Sequence, residues 1–132
     1  MTTGDGTPAS VVAPGTPLVL EARHTIRETP AIPSFELTCF RSTDNVIVYD
    51  RHFSVEDMGI DELVAGTTYH VRFRLRANLT RGQYDIGLYV TDTATTRWVG
   101  LRRPAAYFQV AERRSYRKIA DLAVGVTTIP AT

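Results

Sequence analysis

The sequence is poor in the residues that build covalent or metal-based chemistry. Its 132 residues contain a single cysteine, so no disulfide can form within the chain. His24, His52 and His70 share no metal-ligand spacing, and one cysteine is too few for a structural zinc site. A glycine-rich loop followed by Lys and Ser or Thr is absent, which excludes a P-loop nucleotide hydrolase. We therefore predict no catalytic residue, no metal and no cofactor.

The sequence also lacks a strong net charge and a long apolar run. A formal net charge of +1 gives no basis for attraction of the whole molecule to nucleic acid, although fourteen of the fifteen basic residues are Arg. Apolar runs are too short to span a bilayer, and the start MTTGDGTPAS has neither the basic nor the apolar part of a signal peptide. We expect a cytoplasmic protein that binds no nucleic acid.

The segment 66–91 contains two strands and the corner between them. Tyr69, Val71, Phe73 and Leu75 alternate with His70 and three arginines, and Tyr84, Ile86, Leu88 and Val90 alternate with Asp85, Gly87, Tyr89 and Thr91. A period of two predicts strands with one buried and one solvated face.

The link between these strands resembles a tyrosine corner. Leu79 is followed by Gly82, which can adopt positive φ, and by Tyr84 at the start of the next strand. In such corners the hydroxyl bonds to upstream backbone. With strand-length apolar runs elsewhere, this predicts an all-β, immunoglobulin-like antiparallel β-sandwich.

The rest of the chain is predicted as follows. Residues 1–16 are rich in Gly, Pro, Thr and Ser and indicate a linker or flexible arm, and residues 17–132 form the sandwich. Further strands are predicted at 17–26, 34–41, 46–53 and 97–110, the last one interrupted by Pro104, and an extra strand at 119–129. Residues 42–45 indicate a hairpin turn.

Three local features are given structural interpretations. Residues 54–66 contain four acidic residues, but their spacing does not match an EF-hand, so we expect a short helical turn capped by Ser54 rather than a metal loop. Cys39 is in phase with Phe35 and Leu37, which predicts a buried, inert thiol. The three histidines are expected at the surface.

The candidate ligand-binding residues are those that strand phase places on a solvated face rich in aromatic groups. Rings stack on the apolar face of a sugar, and neighbouring polar groups bond its hydroxyls. The set is Glu36, Phe40, Asp85, Tyr89, Trp98 and Arg102. Alternatively, Phe40 and Trp98 only cover the core. Glu36 and Asp85 are also the carboxylates that a glycosidase would need.

Several short segments resemble one known family. They are IPSFEL at 32–37, DNVIVY at 44–49, AG at 65–66, VRF at 71–73, NL at 78–79, GQY at 82–84 and YFQV at 107–110. Together these are similar to the C-terminal carbohydrate-binding domain of the Wzt-type ATPase subunit of O-antigen ABC transporters, over most of residues 17–129.

The resemblance implies a non-catalytic module that binds a bacterial polysaccharide of O-antigen type at the inner face of the inner membrane. It also implies a homodimer, for which the strand at 119–129 offers an exchangeable element, and an indirect association with the membrane subunit of the transporter. Folding of that strand onto its own chain is the alternative. The rival functions are a protein-interaction sandwich without sugar binding and a hydrolase.

Overall fold

The computed structural model describes residues 1–4, 6, 10–60, 62–111 and 124–129, which form nine strands and no helix. The strands are β1 (Thr2–Thr3), β2 (Val11–Val12), β3 (Pro17–Thr25), β4 (Pro33–Arg41), β5 (Val46–Ser54), β6 (Thr68–Arg76), β7 (Gly82–Asp92), β8 (Arg97–Val110) and β9 (Gly125–Ile129). One sheet has the order β1-β3-β6-β9 and the other β2-β8-β7-β4-β5. All neighbours are antiparallel except β2 and β8. The predicted β-sandwich is confirmed.

The core lies between the two sheets, and the period-two pattern supplies it. The buried side chains of β3 and β6 meet those of β4 and β7 in one cluster. Its strand members include Leu18, Leu20, Val71, Phe73, Leu75, Phe35, Leu37, Cys39, Ile86, Leu88 and Val90. Burial of apolar area on this scale is the main favourable term in folding.

The tyrosine corner is present, with one difference from the prediction. The Tyr84 hydroxyl donates to the carbonyl of Thr80 at 2.7 Å, and its ring is buried. Gly82 does not adopt positive φ; instead, a Cβ there would lie 3.4 Å from the Tyr84 hydroxyl. This is an ordinary contact distance, so neither the backbone conformation nor the space beside the ring requires glycine at position 82.

The N-terminal segment is more structured than a linker. Within 1–16, β1 pairs with β3, and β2 pairs with β8, so this segment contributes a strand to each sheet. Composition alone misses such strands, because two-residue strands show no periodicity.

The turn at 42–45 matches the prediction, whereas the connector at 54–66 differs from it. At 42–45 the hairpin is confirmed, with Asn45 at φ 62°. No helix forms in the described part of 54–66, although Ser54 and Asp57 make the reciprocal hydrogen bonds of a capping box, each at 3.1 Å. Gly59, at φ 68°, then turns the chain away from a helical path.

The C-terminal strand is shorter than predicted, and part of the predicted range lies outside the described residues. β9 pairs antiparallel with β6 of the same chain, from His70 opposite Ile129 to Arg74 opposite Gly125. The basic segment at 112–118 also lies outside the described residues.

Candidate functional site

The surface of interest is the outward side of the five-stranded sheet, here called the outer face. It consists of the side chains of β4, β5, β7 and β8 that point away from the core. Register brings them into rows: Glu36 lies between His52 and Tyr89, and Phe40 lies between Ile47 and Asp85. Five of the six predicted residues lie on this face.

A cation–π contact forms the centre of the outer face. The Arg103 guanidinium carbon lies 3.4 Å from the centroid of the Phe40 ring, and Arg103 Nε donates to Asp85 Oδ2 at 3.1 Å. Arg103 also donates to the side chain of Asn45, and Ser42 Oγ donates to Asp85 Oδ1 at 3.2 Å. Arg103 therefore covers Phe40 and is held in place by two polar partners.

The Tyr89 ring lies close to Gly87 of the same strand, β7. A Cβ at Gly87 would come within 2.8 Å of the Tyr89 ring, so the glycine leaves space for that ring. The other side of Tyr89 contacts Trp98, with ring centroids 5.3 Å apart. Burial raises the pKa of Tyr89 and Arg103 partly opposes this, so the hydroxyl stays protonated at neutral pH and can donate.

These contacts bury residues of β7 that were predicted to be exposed to solvent. Its outward residues Asp85, Gly87 and Tyr89 are buried rather than solvated, because the side chains of Arg103 and Trp98 cover them. Trp98 remains 62% exposed and is thus the ring that is free to meet a ligand. Tyr89 supports that ring from below.

Arg102 is the predicted site residue that the structure does not bring to this group. Thr91 pairs with Trp98 and Val90 with Gly100, so Val99 is an extra residue that reverses the phase of β8. Arg102 consequently pairs with Leu88, whose side chain faces the core, and it lines a cavity of about 300 Å³ beside His24. Arg103 takes the place on the outer face that was predicted for Arg102.

Sequence reasoning also missed an exposed ring at the other end of β8. Tyr107 is opposite Asp85 and is 65% exposed. It lines a cavity of about 280 Å³ together with polar groups of Ser10, Ser42 and Gln83. The phase of the 106–110 segment, with Phe108 and Val110 inward, was the signal that identifies Tyr107 as outward.

Two groups outside the outer face bear on chemistry. Burial, with a smaller contribution from Asp85, raises the pKa of the Cys39 thiol to about 12, so it is protonated at neutral pH and a poor nucleophile. His24 was expected at the surface, but it is 3% exposed, and burial is the main cause that lowers its pKa to about 4.

The fold and this surface define a class: a β-sandwich that presents exposed rings beside a fixed set of hydrogen-bonding groups. Comparison with known proteins identifies the family. A profile for the Wzt C-terminal domain matches residues 1–126, and the chain therefore belongs to that family. A solved structure described as "Crystal structure of the C-terminal domain of wzt" superposes with a TM-score of 0.56 at 11% identity, over 99% of this chain and 77% of that one. The search of curated proteins finds no match.

Across the described ranges of the chain, no helix has the length and apolar character needed to cross a membrane.

Proposed function

We propose that this domain is a non-catalytic carbohydrate-binding module that recognises a bacterial polysaccharide of O-antigen type for export by an ABC transporter. The observation that supports it most is the outer face, where the exposed Trp98 ring, packed against Tyr89, lies on the same sheet as the fixed Arg103–Asp85 pair. An apolar sugar face needs a ring, and its hydroxyls need paired polar groups. The family to which the chain belongs is associated with O-antigen transporters.

The partner in this proposal is a glycan at the cytoplasmic side of the inner membrane. The domain would contact the transporter's membrane subunit only indirectly. Trp98 and Tyr107 lie opposite Thr91 and Asp85, which are six residues apart on β7, about 20 Å at about 3.3 Å per residue. A surface of that length suits an extended chain of several sugars better than a single monosaccharide.

The arrangement argues against hydrolysis by the Glu36–Asp85 pair. Glu36 pairs with Tyr89, four residues along β7 from Asp85, which separates the two carboxyl-bearing positions by about 13 Å. Glycosidase carboxylates lie about 5–9.5 Å apart. Asp85 is moreover held by Arg103, and Glu36 lies 3.1 Å from His52.

The test is calorimetric titration of the bacterium's own polysaccharide, freed of lipid, into folded variants. Trp98→Ala should weaken binding by about 1–3 kcal/mol through lost stacking and burial. Tyr89→Ala should weaken it similarly but also lower stability, because the ring is buried. Asp85→Asn should have a smaller effect on binding.

The control is Val64→Ala, an exposed apolar residue in the connector between β5 and β6. It should leave binding unchanged. Undiminished affinity in both the Trp98 and Tyr89 variants would move the site to another face.

A protein-interaction module is the second candidate, favoured by the exposed Val46 and Ile47 on the edge strand β5. An apolar edge strand can pair with a partner strand. A glycan array separates the two functions, because an interaction module would bind no glycan on it.

We further propose that the domain forms a homodimer by exchange of β9. In the single chain β9 occupies the edge of β6, and the same edge would accept β9 of a second copy with identical register. Residues 112–123, which connect β8 to β9, lie outside the described residues.

A further inference from the structure

Three metal-ligating side chains meet on the outer face at the β4–β5 edge. Glu36 is opposite His52 and Thr38 is opposite Asp50, which places the three side chains on one side of the sheet. His52 Nε2 lies 3.1 Å from Glu36 Oε2 and 3.6 Å from Asp50 Oδ2, and one ligand atom from each residue lies within 4.8 Å of the other two. Among the described residues this is the one such group of three.

The separations match the edges of a coordination polyhedron. Zinc binds His nitrogen and carboxylate oxygen at about 2.0–2.2 Å, so two ligands of a tetrahedral ion lie about 3.4 Å apart. The two His52 separations fall on either side of that value. The ligand atoms of Glu36 and Asp50 also lie within 4.8 Å of each other.

The remaining polar atoms of the cluster are arranged as supports for the ligands. Thr38 Oγ1 lies 3.0 Å from Glu36 Oε1 and 3.3 Å from Asp50 Oδ1, so its proton is shared by the two oxygens that point away from His52. His52 Nδ1 lies 3.5 Å from Ser34 Oγ. Thr38 is 1% exposed, which fixes its hydroxyl. Such outer partners orient metal ligands and raise affinity.

We propose that Glu36, Asp50 and His52 bind a divalent transition-metal ion of the Zn²⁺ class. The imidazole disfavours Ca²⁺ and Mg²⁺, which prefer oxygen ligands alone. Three protein ligands leave at least one position open, unlike a closed structural zinc site. Because Glu36 neighbours Tyr89, a glycan oxygen can fill that position, a part of the inference that rests on the proposed function.

The experiment is calorimetric titration of ZnCl₂ into untagged protein that has been freed of metal. The expected result is one ion per chain, with affinity lowered at least tenfold in His52→Ala and in Asp50→Asn. Both side chains are substantially exposed, so the variants should fold, which circular dichroism checks.

The matched control is His70→Ala. His70 Nε2 lies 3.3 Å from Glu21 Oε2 on the other sheet, a His–carboxylate pair that belongs to no group of three among the residues that the structure describes. The His70→Ala variant should bind zinc as the wild type does. Absence of zinc binding by the wild type, or equal affinity in His52→Ala, would overturn the site.

Titration of the polysaccharide into metal-free and zinc-loaded protein separates this inference from the proposed function. Zinc binding without any glycan binding refutes only the proposed function. Glycan binding without zinc binding refutes only the metal site. Tighter glycan binding in the zinc-loaded protein supports the bridging role of the ion.

Discussion

At the scale of single residues, Tyr84 is an anchor for the turn between β6 and β7. Its hydroxyl has one strong acceptor, the Thr80 carbonyl, inside a buried corner. Tyr84→Phe should therefore lower the free energy of unfolding by about 1–2 kcal/mol. Glycan binding should survive, since the ring faces the core.

Urea denaturation measures this change, and Tyr107→Phe is the matched control because Tyr107 is mostly exposed. An unchanged midpoint in Tyr84→Phe would mean that the corner hydrogen bond contributes nothing to stability.

His24 gives the domain a specific sensitivity to acid. Burial, reinforced by the nearby charge of Arg102, lowers its pKa from 6.5 to about 4. The unfolded chain thus takes up a proton near pH 6.5 that the folded domain refuses until about pH 4. Stability should fall through that window, by up to about 3 kcal/mol once the pH is below both values.

The measurement is urea denaturation at several pH values between 7.5 and 4.5. The His24→Leu variant, once shown to be folded at pH 7.5, should show a weaker dependence of the free energy of unfolding on pH. Hydrogen bonds from the backbone amides of Ile32 and Ala31 are the chief cause that lowers the pKa of Asp92. Protonation of Asp92 therefore affects stability mainly below this pH window. Parallel pH profiles for wild type and His24→Leu would contradict the assignment.

At the scale of strands, the packing of β7 against β8 depends on a glycine. Gly87→Ala should displace the Tyr89 ring, because its new Cβ would approach Tyr89 to 2.8 Å, and should thereby disturb the contact with Trp98. Since Trp98 is the single tryptophan, its fluorescence reports the change directly. The substitution should lower stability in the wild type and cost much less in a Tyr89→Ala background.

A double-mutant cycle over Gly87 and Tyr89 measures that coupling. Gly100→Ala is the control glycine substitution, since its Cβ would lie at an ordinary 3.4 Å from Val90. Additive effects of the Gly87 and Tyr89 substitutions would show that the two residues do not constrain each other.

The positions of the strands were largely predictable from the sequence. Which residues of a strand face the core was predictable only where the strand pairing is regular. β6 spans Thr68–Arg76 as its alternation predicts, because one side is core and the other is solvent. β8 is different: the extra residue at Val99 inverts the phase, so Arg102 and Arg103 exchange sides relative to the prediction. A bulge depends on tertiary packing and leaves no periodic signal in the sequence.

The Glu36–Asp50–His52 cluster at the β4–β5 edge shows a second limit of prediction from the sequence. Asp50 and His52 are two residues apart and share a face, which sequence alone indicates, but Glu36 reaches them only through strand pairing. Covering side chains are equally invisible: nothing local to β7 shows that Arg103 and Trp98 bury its outward residues.

At the scale of the whole molecule, the proposed homodimer depends on β9. We expect that β9 of one chain pairs with β6 of the other in solution. Residues 72 and 127 are directly opposite each other in this pairing. Opposed Cα atoms of antiparallel strands lie about 4.5–5.5 Å apart, within the range that a disulfide spans. Arg72→Cys with Thr127→Cys should therefore cross-link under oxidation.

Electrophoresis without reducing agent shows whether the oxidised double-cysteine variant is a covalent dimer or a monomer. Exchange predicts a covalent dimer, whereas folding of β9 onto its own chain predicts a monomer that has lost its two engineered thiols. Arg72→Cys alone is the control for disulfides between two copies of residue 72, since Cys39 is buried, and only a covalent dimer in excess of that control counts as exchange. Light scattering on a chain truncated after residue 112 is the complementary measurement: a dimer that persists without β9 would place the interface on another surface, and the exchanged strand would be excluded.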